Sequence, residues 1–446
     1  MRTNVAATIP FERTYEGGAA ERSVPARELE RTVLSCMLWE DNFYEKGSDT
    51  GKRIASLCAK VPNDSIFELA YRARHQMGLR HVPLWLLVQV ARKGPKQMGL
   101  AGAIAKTIKR PDEMSELLAL YWKDGRVPIS AQIKKGLARA FGRFSSYQLA
   151  KWDRDGRIKL RDVMFLSHPK PKDGEQAALY KQVAARTLDV PDTWEVALST
   201  GKNKRESWER LLSEKKIGIM ALLKNLRNMQ EAGVPTPLVA GALRETDKGF
   251  AFPYRFLTAA RYAPWLASEL SEAMLERIKE MPRLRGETHV IVDVSGSMDQ
   301  ALSARGEATR LDAAASIAIC ARELCESARV FTFSQSVAEI GNVHGLPLAA
   351  AITNSQPHQG TYLAQALGIL RSKGWTPDRI IVVTDEQTHD GNAPCHARRS
   401  GYIVNVAPYK NGLESKQKGW TRVNGWSDRL LEWVAVAENE DARLDG

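Results

Sequence analysis

Asp293-Val294-Ser295-Gly296-Ser297 is the part of the chain best suited to chemistry. The carboxylate closes a short β-branched run, Thr288–Val294 (THVIVDV), and two hydroxyls follow in the next turn. Two more oxygen groups stand in equivalent places: Thr361 after Gly360, ahead of a helical stretch at Tyr362–Leu370, and Asp385 after the apolar run ending at Thr384. Carboxylates and hydroxyls without His or Cys make a hard-oxygen set, suited to Mg²⁺ with water completing an octahedron. Asp293, Ser295, Ser297, Thr361 and Asp385 are therefore the expected ligands of a divalent cation, and one position is left for a partner's carboxylate. Catalytic alternatives fit less well. A D-x-D phosphatase pair would need an acid at Ser295, and the G-x-S-x-G elbow is absent. Gly47–Lys52 (GSDTGK) is too short for a phosphate loop, has Arg53 in place of Ser/Thr, and follows no strand. No enzymatic activity is expected.

Such ligands must sit at strand ends. Thr288–Val294, Arg329–Phe333, Arg379–Thr384 and Gly401–Ala407 read as strands, alternating with helices at Arg310–Ala328, Tyr362–Leu370 and Ser427–Val436. That alternation predicts a doubly wound α/β domain with a mostly parallel sheet, which gathers ligands at the carboxyl ends of its strands. Upstream, Ala26–Leu38, Arg53–Lys60, Asp64–Gln76, Leu84–Lys93, Leu100–Ile108, Met114–Trp122 and Ser130–Phe141 carry apolar residues at helical spacing, separated by Pro-, Asp- and Gly-containing breakers. Helical units of this size without strand signals suggest a HEAT-like solenoid. The expected organisation is an extension at 1–25, a helical repeat domain at 26–285 and the α/β domain at 286–446.

The 446 residues carry a formal net charge of +12, unevenly spread. Gly286–Gly446 holds 15 Lys+Arg against 19 Asp+Glu, whereas Met1–Arg285 has a net charge of +16. Within that part Tyr71–Arg110 has nine basic residues and no acid, and Arg126–Lys172 has twelve against three. Two dense cationic runs attract a polyanion, and nucleic acid is the expected one. Lys134, Lys135, Arg139 and Arg143 fall largely on one helical face, and Tyr147 and Trp152 interleave with them. Arg72, Arg74, His75, Arg80 and His81 form a second cluster. The longest uncharged apolar run, Val82–Val90, is too short for a membrane span. The N-terminus shows no secretory h-region, and the five cysteines have no C-x-x-C spacing. A soluble, cytoplasmic protein is expected.

Leu29–Tyr44 (LERTVLSCMLWEDNFY), Phe165–Pro171 (FLSHPKP), Val190–Leu198 (VPDTWEVAL), Leu222–Gly233 (LLKNLRNMQEAG) and Pro253–Arg261 (PYRFLTAAR), in this order, resemble the Ro autoantigen family over roughly residues 26–437. The D-x-S-x-S set resembles the metal-ion-dependent adhesion site of von Willebrand factor A domains. The resemblance implies a TROVE module, a ring of HEAT-like repeats closed by a von Willebrand A-type domain. It further implies an RNA-binding ribonucleoprotein scaffold acting in RNA quality control or processing. Small structured Y-like RNA would bind the outer surface, and single-stranded 3′ ends of misfolded RNA would enter the hole. An exoribonuclease such as polynucleotide phosphorylase is the implied partner, and a monomeric ring the implied state. By position, His168 and Lys151 match RNA-contacting residues of the family. A second family arginine falls on Asp155, beside Arg154. The RNA-binding set is then Lys134, Lys135, Arg139, Arg143, Lys151, Arg154, His168, Lys170 and Lys172. The competing expectation is an Mg²⁺-dependent protein-interaction adaptor acting through the A-type domain.

Overall fold

A computed structural model describes residues 24–34, 47–94, 97–199, 203–249, 251–281, 283–302, 307–407, 412–413, 419–425, 430–431, 434–435 and 438. Most of the N-terminal extension, residues 35–44 of the first family-like stretch, Cys36 and much of the closing helix lie outside these.

The helical part begins with α1 (Pro25–Leu34), α2 (Gly47–Lys60), α3 (Asn63–His75), α4 (His81–Arg92), α5 (Leu100–Thr107), α6 (Asp112–Tyr121) and α7 (Ala131–Phe141). It continues through α8 (Ser146–Trp152), α9 (Leu160–Ser167), α10 (Gly174–Ala185), α11 (Trp194–Ser199), α12 (Lys204–Ser213), α13 (Ile219–Glu231), α14 (Thr236–Glu245), α15 (Pro253–Tyr262) and α16 (Ala267–Lys279). The expected helices lie in α1 to α7 with ends shifted by a few residues. GSDTGK lies inside α2 and not in a loop between a strand and a helix, so it does not have the form of a phosphate loop. Side-chain caps fix several starts: Ser130 Oγ accepts from Ile133 N (3.3 Å), and Ser145 with Gln148 forms a capping box. At the α5–α7 crossing Gly136 lets the helices touch, because a Cβ there would lie 2.8 Å from Ile104 Cβ.

The α/β part contains β1 (Leu284–Asp293), α17 (Arg310–Leu324), β2 (Cys325–Phe333), β3 (Val337–Ile340), α18 (Gly345–Thr353), α19 (Leu363–Ser372), β4 (Arg379–Thr384), β5 (Ser400–Asn405) and β6 (Trp420–Asn424). The sheet order is β3-β2-β1-β4-β5-β6, parallel except for the antiparallel edge strand β3. The expected helix Arg310–Ala328 stops at Leu324, and Cys325–Ala328 instead extends β2 in register with β1, pairing Ala328 with Thr288. Sheet pairing there overrides local helix propensity. The strands β3 and β6 and the helix α18 were not expected.

Strand residues alternate between two cores, as a period of two requires. Val290, Val292, Ile381 and Val383 face α17 and the helical part, whereas Ile291, Ile380 and Val382 face α19. The first core is continuous from Trp208 in α12 to Val406, so the later helices and the sheet share one apolar interior. A separate core joins α1 to α10. Helix α17 is buried on nearly every side, which its run of small residues, AAASIAIC, permits. At the other end α1 packs on α2, α3 and β6. Both ends of the helical array therefore rest on the α/β part, which closes the ring.

Candidate metal centre and nucleic-acid interface

In the sheet β1 has β2 on one side and β4 on the other, so the carboxyl ends of β1 and β4 flank the topological switch point. Asp293 ends β1 and Asp385 follows β4; both are fully buried. Asp293 Oδ1 accepts from Ser295 N (2.9 Å) and Oδ2 from Thr384 Oγ1 (2.6 Å). The Ser295 and Ser297 hydroxyls lie 3.2 Å apart. Thr361, 3% exposed, is held by its backbone: its carbonyl accepts from His389 N (2.9 Å) and from Thr388 Oγ1 (3.0 Å). Stacking of Tyr362 on His389, with centroids 5.0 Å apart, supports the same turn. All five expected oxygen residues thus belong to the loops around one end of the sheet.

Electrostatics mark this as a site with unmet charge. Burial, and then the nearby Asp385 carboxylate, push the Asp293 pKa up to about 7, although hydrogen bonds from Thr384 and Ser295 pull the other way. Two anions in a dry pocket repel, and a divalent cation is the simplest remedy. The Arg310 guanidinium is a partial one: Nη1 lies 3.2 Å from Asp385 Oδ2 and donates to the Ser297 carbonyl at 3.2 Å. Arg310 belongs to no motif; its only signal in the sequence is its place as the first residue of a helix that faces the switch point. Among the described residues no group of three or more His, Cys, Asp or Glu side chains forms a metal cluster. A cation here would therefore rest on two carboxylates, hydroxyls and water, and the donor set fits a hard ion. Nearby, His358 Nδ1 meets Asp299 Oδ2 at 2.7 Å. Burial works to lower the His358 pKa, but bonds to Asp299 and the Thr353 carbonyl raise it on balance.

The two basic runs have different fates. In the first, the five arginines meet acids, mostly from neighbouring helices, while Lys106 stands exposed. Arg72 pairs with Glu30, and Arg80 meets Asp112 (2.7 Å) and Glu116 (3.4 Å). His81 pairs with Glu116, and Arg110 lies 2.6 Å from Asp112. Arg74 is 8% exposed and forks onto fully buried Glu113 at 3.0 and 2.6 Å. His75 Nε2 contacts the Lys106 carbonyl at 2.9 Å, and burial lowers its pKa. Arg72, Arg74, His75, Arg80 and His81 are therefore engaged in contacts between helices.

The second run stays open. Lys134, Lys135 and Arg139 are exposed on α7, as are Lys151 on α8, Arg154 and Lys170. Among the described residues none of these six has an ion pair. Arg143 differs: Nη2 donates to the Ile108 carbonyl (2.8 Å) at the end of α5, and burial lowers its pKa. Lys172 lies 3.7 Å from Asp173. Asp155 is neutralised by Arg186 (2.8 Å) and Lys159 (3.1 Å), so it does not oppose the neighbouring Arg154.

The aromatic residues divide as well. Trp152 is half-buried, with the Arg110 guanidinium 3.5 Å from its ring centroid and that of Arg154 at 5.0 Å. Tyr147 is 53% and Phe165 54% exposed. Tyr147 and Lys151, one turn apart on α8, line a cleft of about 730 Å³ with Trp194, Lys215 and Lys216. His168 ends α9 at φ 50°, a left-handed conformation rare for a non-glycine residue, and stands exposed one turn beyond Phe165.

The TROVE domain family model matches residues 185–281, from the end of α10 through α16. Telomerase protein component 1 of Mus musculus is 37% identical over 78 residues, 16% of this chain, and its Rattus norvegicus counterpart is 36% identical over 78. The chain spans only about 3% of the length of these curated relatives. The crystal structure of the Deinococcus radiodurans RO (RSR) protein matches with a TM-score of 0.60 at 17% identity, covering 93% of this chain and 99% of that one. The fold is therefore that of a HEAT-like ring joined to a von Willebrand A-type domain. Residues 185–281 are thus similar to the TROVE domain, and the chain shares the fold of the RO protein. Among the described residues no helix is long and apolar enough to cross a membrane.

Proposed function

We propose that this protein is a non-catalytic RNA-binding scaffold that holds small structured, Y-like RNA on the face built by α7, α8 and α9. The observation that carries the reading is the contrast between the two basic runs. Seven exposed cations between Lys134 and Lys170, the six named above and Arg157, lack acidic partners among the described residues, beside exposed Tyr147, Phe165 and His168. Lys and Arg gain affinity by releasing phosphate counterions, and exposed rings stack on unpaired bases. Single-stranded 3′ ends of misfolded RNA are the second ligand of the reading, presented in the cytoplasm to an exoribonuclease such as polynucleotide phosphorylase. In the A-type domain Asp293, Ser295, Ser297, Thr361 and Asp385 would hold Mg²⁺. Bound there, the ion would supply a Lewis-acidic position for a partner's carboxylate, which favours a protein-adaptor role alongside RNA binding.

Charge reversal at Lys151, Arg154 and Lys170 is expected to weaken RNA binding at least tenfold, with Asp293→Ala nearly silent in the same filter-binding assay. Equal losses would refute separate RNA and cation sites. Sequencing the RNA that co-purifies with the chain identifies the ligand class; no enrichment of small structured RNA would contradict the reading. RNA cleavage by the pure protein, lost in Asp293→Ala and Asp385→Ala, would instead show a metal-dependent nuclease.

A further inference from the structure

We propose that helix α1 is a latch that closes the ring through a buried ion triad, Arg31–Glu386–Arg422, and that closure positions Asp385 for a divalent cation. Closing and cation binding would then strengthen each other; this coupling rests on the cation reading above, whereas the latch itself does not.

Arg31, 2% exposed, reaches from α1 to Glu386, with Nη2 2.9 Å from Oε2. Arg422 on β6 holds the other oxygen, with Nε 3.0 Å from Oε1. Glu386 is fully buried and follows Asp385 directly. Its backbone is left-handed, φ 60°, which a non-glycine residue adopts only when its surroundings impose it. Glu386 N donates to Thr384 Oγ1 at 3.1 Å, and that same hydroxyl donates to Asp293 Oδ2 at 2.6 Å. A line of ion pairs and hydrogen bonds therefore runs from the first helix of the ring through Glu386 and Thr384 to Asp293, and Glu386 is the chain neighbour of Asp385.

The α/β surface is shaped to receive α1. A Cβ on Gly412 would overlap the Arg31 guanidinium and the Glu386 carboxylate, and a Cβ on Gly425, at φ 78°, would overlap the Leu34 carbonyl. The other end of the ring reaches the same place. Arg261 on α15 pairs with Asp312 (3.0 Å) on α17, whose first residue, Arg310, bonds Asp385. Both ends of the ring thus converge on Asp385–Glu386. The ionic nature of the contact suits a latch, because charges separated on opening recover hydration, whereas an apolar contact of that size would not.

Hydrogen exchange of peptides covering α1, measured on the full chain with Mg²⁺ and with chelator, tests this. Mg²⁺ is expected to slow α1 exchange about tenfold in the wild type, within the usual range of coupling between sites. Arg31→Met and Glu386→Gln should lose that response and, by reciprocity, bind Mg²⁺ about tenfold more weakly in calorimetry. Gly425→Ala, which leaves the triad chemistry intact, should speed α1 exchange by steric opening. Wild-type affinity for Mg²⁺ in Arg31→Met would overturn the coupling. Absence of Mg²⁺ binding by the wild type would end the cation reading and the coupling with it. The latch would still be supported if Arg31→Met speeds α1 exchange in chelator, and is overturned if it does not.

Discussion

Replacing Asp293 by Asn should remove a pH-dependent weakness of the metal-free protein. Burial and the Asp385 carboxylate raise the Asp293 pKa from 3.8 to about 7, while an unfolded Asp titrates near about 3.9. A carboxylate whose folded pKa lies above its unfolded value opposes folding as it ionises. The cost is absent below about pH 4, grows as pH rises towards 7, and is constant above that. Three pKa units correspond to about 4 kcal/mol, of which about 3 kcal/mol develops between pH 5 and 8. The amide of Asp293→Asn keeps an oxygen for Ser295 N and a nitrogen facing the Thr384 hydroxyl, but carries no charge. Urea unfolding in chelator at pH 5 and pH 8, for wild type and variant, isolates the repulsion of the carboxylate pair, because titrating groups other than Asp385 cancel in the difference. Wild type should lose about 3 kcal/mol relative to Asp293→Asn over that interval, and Mg²⁺ at pH 8 should restore stability to the wild type alone. Parallel pH dependence in the two proteins would refute the argument that Asp293 and Asp385 form a pair of repelling buried charges.

Other consequences follow from packing and pairing. Glu113→Gln leaves Arg74 buried without its anion and should cost about 3–5 kcal/mol in denaturant unfolding, while RNA affinity at fixed salt stays within twofold. A larger loss of RNA binding would show that the first basic run contributes to the interface. Gly136→Val forces apart the α5–α7 contact with Ile104 and should destabilise the chain by about 1–3 kcal/mol; an unchanged melting temperature would mean that the crossing yields easily. The Cys58 thiol, pushed up to about 12 by burial, should react with a thiol reagent only in the unfolded chain, so rapid labelling of the native protein would contradict its place in the core.

The gathering of the five oxygen residues at one end of the sheet was legible in the sequence because the elements beside them are recognisable: Asp293 closes THVIVD, Asp385 follows RIIVVT, and Thr361 precedes α19. The alternation of strands and helices gave the architecture for the same reason. Boundaries decided by distant pairing were not legible. Cys325–Ala328 looks helical locally and becomes strand only because β1 runs beside it. Charge compensation was equally hidden. The acids that neutralise Arg72, Arg74 and Arg80 lie 42, 39 and 32 residues away in sequence, so an acid-free stretch appeared as an open cationic patch. Arg31 escaped notice as an ordinary basic residue on an amphipathic helix, because its partner lies in the other part of the chain.

The most direct test of the RNA interface is the salt dependence of binding. Seven exposed cations without ion pairs among the described residues, Arg157 included, set an upper limit of about −6 for the slope of log K against log[KCl] on a duplex-containing RNA, −0.9 per phosphate contact. The wild type should show a slope of about −4 to −5, and Lys134→Ala, Lys135→Ala and Arg139→Ala combined should reduce its steepness by about 2–3. A slope near zero, or one that the triple variant leaves unchanged, would contradict the assignment of this face to RNA.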